Sequence, residues 1–301
     1  MMFVIHDPHC ADYQTPGHPE APFRVRDSAT FLREKHPDWT WSVPVPAPDE
    51  AVLRAHRAEH LRQLREGGED FDGDTPDLPG IEAHARRGAG AALETGRLAL
   101  EGKKAFSLMR PPGHHATPDR AMGFCYLNQI AIAALEAVAK GLKVGIYDFD
   151  AHHGNGTEDI VMGHDKIRFA SVHQFPGYPG TGTRSQKNCF NWPVRPMTPH
   201  DEHLRDCRTA WEKILEFQPD LILVSAGFDA YVGDPITEMT LERGDFAEIG
   251  RWLHGCPVPV GCILEGGYSR DLPGLIDAFL TAWETGRGSW GERNFTQMKV
   301  L

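Results

Sequence analysis

The stretch LKVGIYDFDAHHGNGTED, residues 142–159, decides how the chain is read. Its first half is a continuous apolar run of strand length, the pattern of a strand buried on both faces. Its second half crowds together Asp148, Asp150, His152, His153 and the glycine-flanked Asn155. Side chains alternate along an extended chain, so Asp148, Asp150 and His152 are expected to share one face. Two carboxylates and an imidazole so placed suit a divalent metal. Zinc is the leading choice, with iron, cobalt or manganese as alternatives. The plainer alternative is a strand end closed by surface polar groups.

Similar apolar runs lie on either side of this stretch. They are MFVIHD at the start, KAFSLM (104–109), KIRFASVHQF (166–175), DLILVSAGFD (220–229) and VPVGCILEGG (258–267). Helical periodicity fills 82–102, 124–141, 200–217, 241–255 and 272–286, and Gly141 stands where a helix C′ glycine belongs. Strand then helix, repeated, predicts an α/β fold: a mostly parallel central sheet with helices on both faces. Residues 66–80, rich in Gly, Asp and Pro, read as a loop. No composition break or repeat divides the chain, so one domain over 1–301 is expected, with no clear pattern in the tail from about 287.

The bulk numbers narrow the function classes. The chain has 301 residues, 41% hydrophobic and 24% charged, as in an ordinary globular enzyme. A formal net charge of -11 argues against direct binding to nucleic acid or an anionic membrane. It is compatible with a cationic small molecule or a lysine-bearing peptide as substrate. The six cysteines form no CxxC pair and read as reduced thiols in a cytoplasmic protein. MMFVIHDPHC carries neither a basic region nor a long apolar core, so no secretory leader is expected. No segment reaches about 18 uncharged apolar residues, so no membrane span is expected either.

Each apolar strand delivers reactive side chains at its carboxyl end, the edge where open parallel sheets bind ligands. KAFSLM leads to His114 and His115, DLILVSAGFD ends on Asp229, and VPVGCILEGG leads to Tyr268. An acid after a fully apolar strand needs a counter-charge when buried. A cation held by Asp150, His152 and Asp229 supplies one and leaves positions open for water and substrate, as a catalytic site requires. A turn-forming or capping role is the plain alternative for Asp229. The pair His114 and His115 follows a stiff Pro-Pro-Gly turn, and such a pair can divide roles, against two exposed loop histidines as the alternative. One serves as general base and the other is tuned by a carboxylate, for which Asp148 is the candidate. Asn155, a neutral amide, is placed to orient the other histidine. Tyr268 follows Gly266 and Gly267 and offers a phenol to a developing oxyanion, against a core tyrosine at a strand end as the alternative. Gly123 permits close approach, and Phe124 and Tyr178 are candidate walls of a narrow apolar slot, against ordinary packing as the alternative. No P-loop, GxGxxG after a strand or GxSxG elbow is present, so covalent catalysis is not expected.

Taken in order, RPPGHHA, GFCYLN, DFDAHHGNGT, SVHQF…PGTG, SAGFDAYVGDP and EGGYS resemble the successive motifs of the histone deacetylase superfamily, within the arginase–deacetylase fold. HDP…GHPEAPFR resembles that family's opening, and the match covers roughly residues 1 to 285. HHGNG and AGFDA resemble the class II branch and bacterial relatives that include acetylpolyamine amidohydrolases. The resemblance implies one catalytic zinc on Asp150, His152 and Asp229, with Fe2+ or Co2+ as substitutes. It implies His115 as general base, His114 hydrogen-bonded to Asp148, and Tyr268 polarising the scissile carbonyl. It places Gly123, Phe124 and Tyr178 along an acyl-lysine tunnel. It also implies a structural potassium ion near Asp148, Asp150, His152, Ser171 and Val172.

Two rivals compete with this family. An arginase-like enzyme needs a second metal, and the positions where arginases carry further aspartates are Gly154 and Gly227 here. A non-catalytic protein that binds acylated ligands would be expected to lose a metal ligand, His115 or Tyr268, and all are present. The expected activity is therefore metal-dependent hydrolysis of an acylated amine, with acyl-lysine in proteins or peptides favoured. The alternative substrate is an acetylpolyamine or another small acylated amine. PEAPFR, Glu69, Asp70, Asp72, Asp74 and Glu238 are the features that would favour a cationic amine, with a solvated surface acid as the plainer and preferred reading of each.

Overall fold

In the computed structural model, which describes residues 1–287, the deciding stretch begins as a strand, β4 (Val144–Asp148), with every side chain buried. The patternless tail of the sequence lies outside the described residues. Around β4 stand β1 (Met2–Ile5), β2 (Thr40–Ser42), β3 (Lys104–Ser107), β5 (Ile167–Gln174), β6 (Cys189–Val194), β7 (Leu221–Ala226) and β8 (Val260–Leu264). They form one eight-stranded sheet in the order β2-β1-β3-β8-β7-β4-β5-β6. Every neighbouring pair is parallel.

The apolar runs are continuous because both faces of the sheet are covered. Along β4, Val144 and Ile146 join one apolar cluster and Tyr147 the other; along β7, Leu221 and Leu223 part from Ile222 and Val224 in the same way. One face packs against α4 (Ile81–Leu100) and α5 (Gln129–Ala139), through residues such as Ala85, Ala92, Ile130 and Ala134. The other meets α1 (Phe23–Lys35), α7 (His200–Leu215), α8 (Arg243–His254) and α9 (Leu272–Thr285), through Leu32, Trp211, Ile249 and Phe279. Each of the leucine, isoleucine and phenylalanine side chains contributes about 1.5–3 kcal/mol on full burial, which makes the sheet a rigid platform for the loops at its carboxyl edge.

Some elements depart from expectation. The apolar pattern from Phe124 onward is not all helix: α5 starts at Gln129, capped by the Asn128 side chain, which accepts from Ala131 N at 3.0 Å. Before it, Gly123 and Phe124 both take positive φ (56° and 70°), which no helix admits. Three further helices were not expected, α2 (Asp49–Val52), α3 (Ala58–Glu66) and α6 (Asn155–Val161). Neither were α1, β2 and β6. β2 is only three residues long, and β6 contains Pro193, tolerated because β6 is an edge strand. Gly141 does follow α5 with φ 94°, as a C′ glycine should.

Candidate active site

Four adjacent strands, β3, β8, β7 and β4, carry the reactive residues past their carboxyl ends. The strand geometry stops at Asp148. Asp150 and His152 lie on a bend, not on a continued strand face, and Asn155 is the first residue of α6. The bend still brings the expected residues together: one ligand atom each from Asp150, His152 and Asp229 lies within 4.8 Å of the others. His152 Nδ1 stands 2.9 Å from Asp229 Oδ2 and 3.2 Å from Asp150 Oδ1. Backbone donors aim both carboxylates: Gly266 N–H reaches Asp150 Oδ2 at 2.7 Å, and Ala151 N–H reaches Asp229 Oδ1 at 2.8 Å. Burial works against a charge on His152, yet Asp229 and Asp150 outweigh it and lift its pKa to about 10. Two buried carboxylates thus converge on one imidazole and call for positive charge, a donor set that fits one divalent ion of the zinc type.

The glycines at 154 and 227 bear on the number of ions. A Cβ at Gly227 would lie 2.1 Å from Asp150 Oδ2, and one at Gly154 would lie 2.3 Å from Asp148 Oδ2. An added carboxylate has no room at either place.

Beside the three candidate ligand residues sit the two histidines of the RPPGHHA turn. His114 Nδ1–H donates to Asp148 Oδ2 at 3.0 Å, and His115 Nδ1–H to Asn155 Oδ1 at 2.7 Å. Burial opposes the charged form of His114, but Asp150 and Asp148 overcome this and raise its pKa to about 10. His115 is pushed the other way, well below the usual imidazole range, by burial and by its neighbours His114 and His152. The pair is therefore split into one imidazole that favours its proton and one that favours being neutral.

A cavity of about 290 Å³ opens onto this group, lined by His115, His152, Gly123, Phe124, Tyr178, Tyr268, Pro19, Asp74 and Ile236. The rings of Phe124 and Tyr268 meet edge to face at 5.7 Å, and Tyr178 meets His115 at 5.1 Å. All three expected wall residues and Tyr268 are thus in one place. Ser171 and Val172 lie on β5, with Ser171 paired in register to Asp148. The Ser171 hydroxyl also stands 2.9 Å from His173 Nδ1.

The acids proposed for a cationic substrate separate. Asp74 lines the cavity. Asp72 accepts from Gly123 N at 3.1 Å and so braces the wall. Glu238 is exposed and does not line the cavity, and its N–H donates to Gln174. Glu20 of PEAPFR is buried and neutralised by Arg110, at 2.7 Å, and Arg24, at 3.1 Å.

Three groups escaped the sequence reading. Glu265, buried in EGGYS, accepts from Gly113 N at 2.7 Å and His114 N at 3.1 Å, and so anchors the histidine turn. Asp234, in GDP, holds the Tyr268 turn. His153 bridges Thr181 and Glu158, at 2.8 Å each, behind the site. The first two stood inside quoted motifs; a buried acid beside a reactive residue was the available signal.

A parallel α/β sheet with an Asp–His–Asp group whose two acids are buried, a histidine pair and a tyrosine at its carboxyl edge fits a metal-site hydrolase. The chain belongs to the histone deacetylase domain family, whose pattern matches residues 18–282. It is 35% identical to a probable deacetylase of Archaeoglobus fulgidus, over 88% of this chain and 80% of the relative. It is also 35% identical to the acetylpolyamine amidohydrolase of Mycoplana ramosa, over 67% of this chain and 63% of that one. Among solved structures, the HD domain of HDA15 superposes with a TM-score of 0.85 at 28% identity, covering 94% of this chain and 88% of that one. The protein is an enzyme of this hydrolase family, and its chemistry is amide hydrolysis.

Proposed function

We propose that the protein is a zinc-dependent deacylase acting on acylated primary amines, with acyl-lysine of peptides or proteins as substrate. The observation that carries this is the convergence of Asp150, His152 and Asp229 within 4.8 Å beside a cavity also lined by His115 and Tyr268. Asp150, His152 and Asp229 would hold the ion. When bound, it supplies Lewis acidity and lowers the pKa of its water. His115, fixed through Nδ1 on Asn155, offers Nε2 to take a proton from water. Tyr268 donates its O–H to the carbonyl oxygen as charge develops there. His114 and Asp148 keep the histidine turn charged and oriented. His115 then returns the proton to the leaving amine, and the products are a carboxylate and a free amine. Phe124 and Tyr178 would flank the apolar stem of the amine.

A second reading, an acetylpolyamine or other small cationic acylated amine, is favoured by Asp74 in the cavity lining and by the relative of that name. Turnover of the zinc-loaded protein on matched acetyl-lysine peptides and acetylated polyamines separates the two. A kcat/KM at least about tenfold higher on peptides supports the first, and the reverse establishes the second.

We further propose a potassium ion near Asp148, Asp150, His152, Ser171 and Val172, supported by the register that sets Ser171 against Asp148. The single sheet supports one catalytic domain over the described residues. All six cysteines are free, which is compatible with a cytoplasmic setting. Among the described residues no helix is long and apolar enough to cross a membrane.

A further inference from the structure

The turn that carries Tyr268 has little stiffness of its own. Gly266 and Gly267 precede the tyrosine, and Gly267 takes φ 117°, a conformation open mainly to glycine. A phenol on such a turn stays in place only if something outside the turn fastens it. Two groups do. From one side, the buried Arg24 donates through Nε to Gly267 O at 2.7 Å, and its guanidinium lies 4.6 Å from the centre of the Tyr268 ring. From the other side comes Asp234, 7% exposed, on the loop that follows Asp229.

Asp234 Oδ2 accepts Tyr268 N–H at 2.7 Å and Ser269 N–H at 3.2 Å. Its other oxygen, Oδ1, accepts Ile236 N–H at 3.1 Å. Tyr268 and Ile236 both line the cavity. One buried carboxyl group therefore ties the tyrosine turn to a second loop of the cavity wall by three hydrogen bonds.

We infer that Asp234 is a positioning residue for the reaction, one that sets the place of the Tyr268 hydroxyl by gripping the backbone of its turn without touching substrate. The inference rests on the proposed role of Tyr268 as donor to the carbonyl oxygen. Asparagine at 234 has the same shape but only one accepting oxygen. Whichever way its amide faces, a donor is left opposed by an NH2 group, and the grip on one of the two loops is lost.

The test is a double-mutant cycle with kcat and KM measured on an amide substrate that the zinc-loaded wild type turns over. Asp234→Asn is expected to lower kcat about 10- to 100-fold, the scale of a misplacement of about 1 Å, with KM and bound zinc unchanged. On a Tyr268→Phe background the same substitution should change kcat less than about twofold, because the hydroxyl it positions is gone. An equal loss on both backgrounds, or no loss on the wild-type background, overturns the inference. If Asp234→Asn folds poorly, Asp234→Glu carries the same comparison, with both acceptor oxygens kept and displaced by one methylene. Wild-type turnover by Tyr268→Phe would instead remove the role of Tyr268 itself, and this inference with it.

Discussion

Gly266→Ala tests how closely the main chain approaches the carboxylates proposed to bind the metal. A Cβ at residue 266 would lie 2.2 Å from Asp229 Oδ2 and 2.6 Å from Asp150 Oδ2, where real contacts are essentially never under 3.0 Å. The two oxygens must therefore retreat by at least 3.0 − 2.2 = 0.8 Å and 3.0 − 2.6 = 0.4 Å. The residue is close because its N–H holds Asp150 Oδ2 at 2.7 Å, so the displaced oxygen also loses its guide. Ligand distances in metal sites are held to within about 0.2 Å, so both shifts exceed the tolerance. Disturbing a single partner of a metal ligand costs about 10- to 100-fold in affinity, and moving two ligands should reach at least the upper end. Gly266 is not in the left-handed region, so alanine adds no backbone strain. Overpacking of this kind costs about 1–3 kcal/mol of stability, which a sheet of this size withstands. The assay is bound zinc per chain across a series of zinc-buffered solutions. Gly255→Ala is the control, since a Cβ there meets nothing nearer than 3.9 Å. A Gly266→Ala protein that is folded and binds zinc as tightly as wild type would show that the carboxylates do not depend on this close approach.

Two other expectations concern single side chains. Tyr268→Phe should lower kcat by about 10²–10³, the usual cost of one oxyanion donor, while zinc content stays at the wild-type level; kinetics and metal analysis check it together. His203, buried on α7 with neither ring nitrogen hydrogen-bonded within the described residues, has its pKa lowered from 6.5 to about 4 by burial. The unfolded chain therefore binds more protons between those values, and stability present above pH 6.5 drains away as the pH falls towards 4. Between pH 7 and pH 5 this costs about 2 kcal/mol, so urea unfolding of His203→Leu should be less acid-sensitive than wild type by that amount, and parallel pH profiles would count against it.

The parts of the fold that were legible are those where burial writes a pattern. β4, β7 and β8 are buried on both faces, so their apolar runs are continuous and the acid or turn that follows each marks the carboxyl edge. The site was legible for the same reason: polar groups that directly follow a doubly buried strand need a ligand, a partner or solvent at that edge. What stayed hidden was local or long-range. The start of α5 depends on the positive φ of Gly123 and Phe124, which apolar periodicity does not reveal. α6 was hidden by the glycines of HHGNG, which read as a turn although Asn155 opens a helix. Asp234 and Glu265 work through backbone N–H groups far off in sequence, the latter reaching residues 113 and 114 from the end of β8. A carboxylate that grips main chain leaves little to be noticed: Glu265 has the Ser225 hydroxyl, at 3.1 Å, as its side-chain partner, and that serine lies 40 residues away in sequence. The acids of PEAPFR and residue 238 could not be placed from sequence because charge in a motif says nothing of burial: Glu20 is paired to arginines, and Glu238 is an exposed surface acid outside the cavity lining.

The proposed function stands on one ion, held by Asp150, His152 and Asp229 and needed for amide hydrolysis. Its most direct test is a titration of the chelator-stripped protein with zinc, following bound metal and release of the free amine together. The stripped protein should be inactive, activity should return and saturate at one ion per chain, and Asp229→Asn should show neither binding nor activity. Hydrolysis by the stripped protein, or activity that rises until two ions are bound, would contradict a single essential ion.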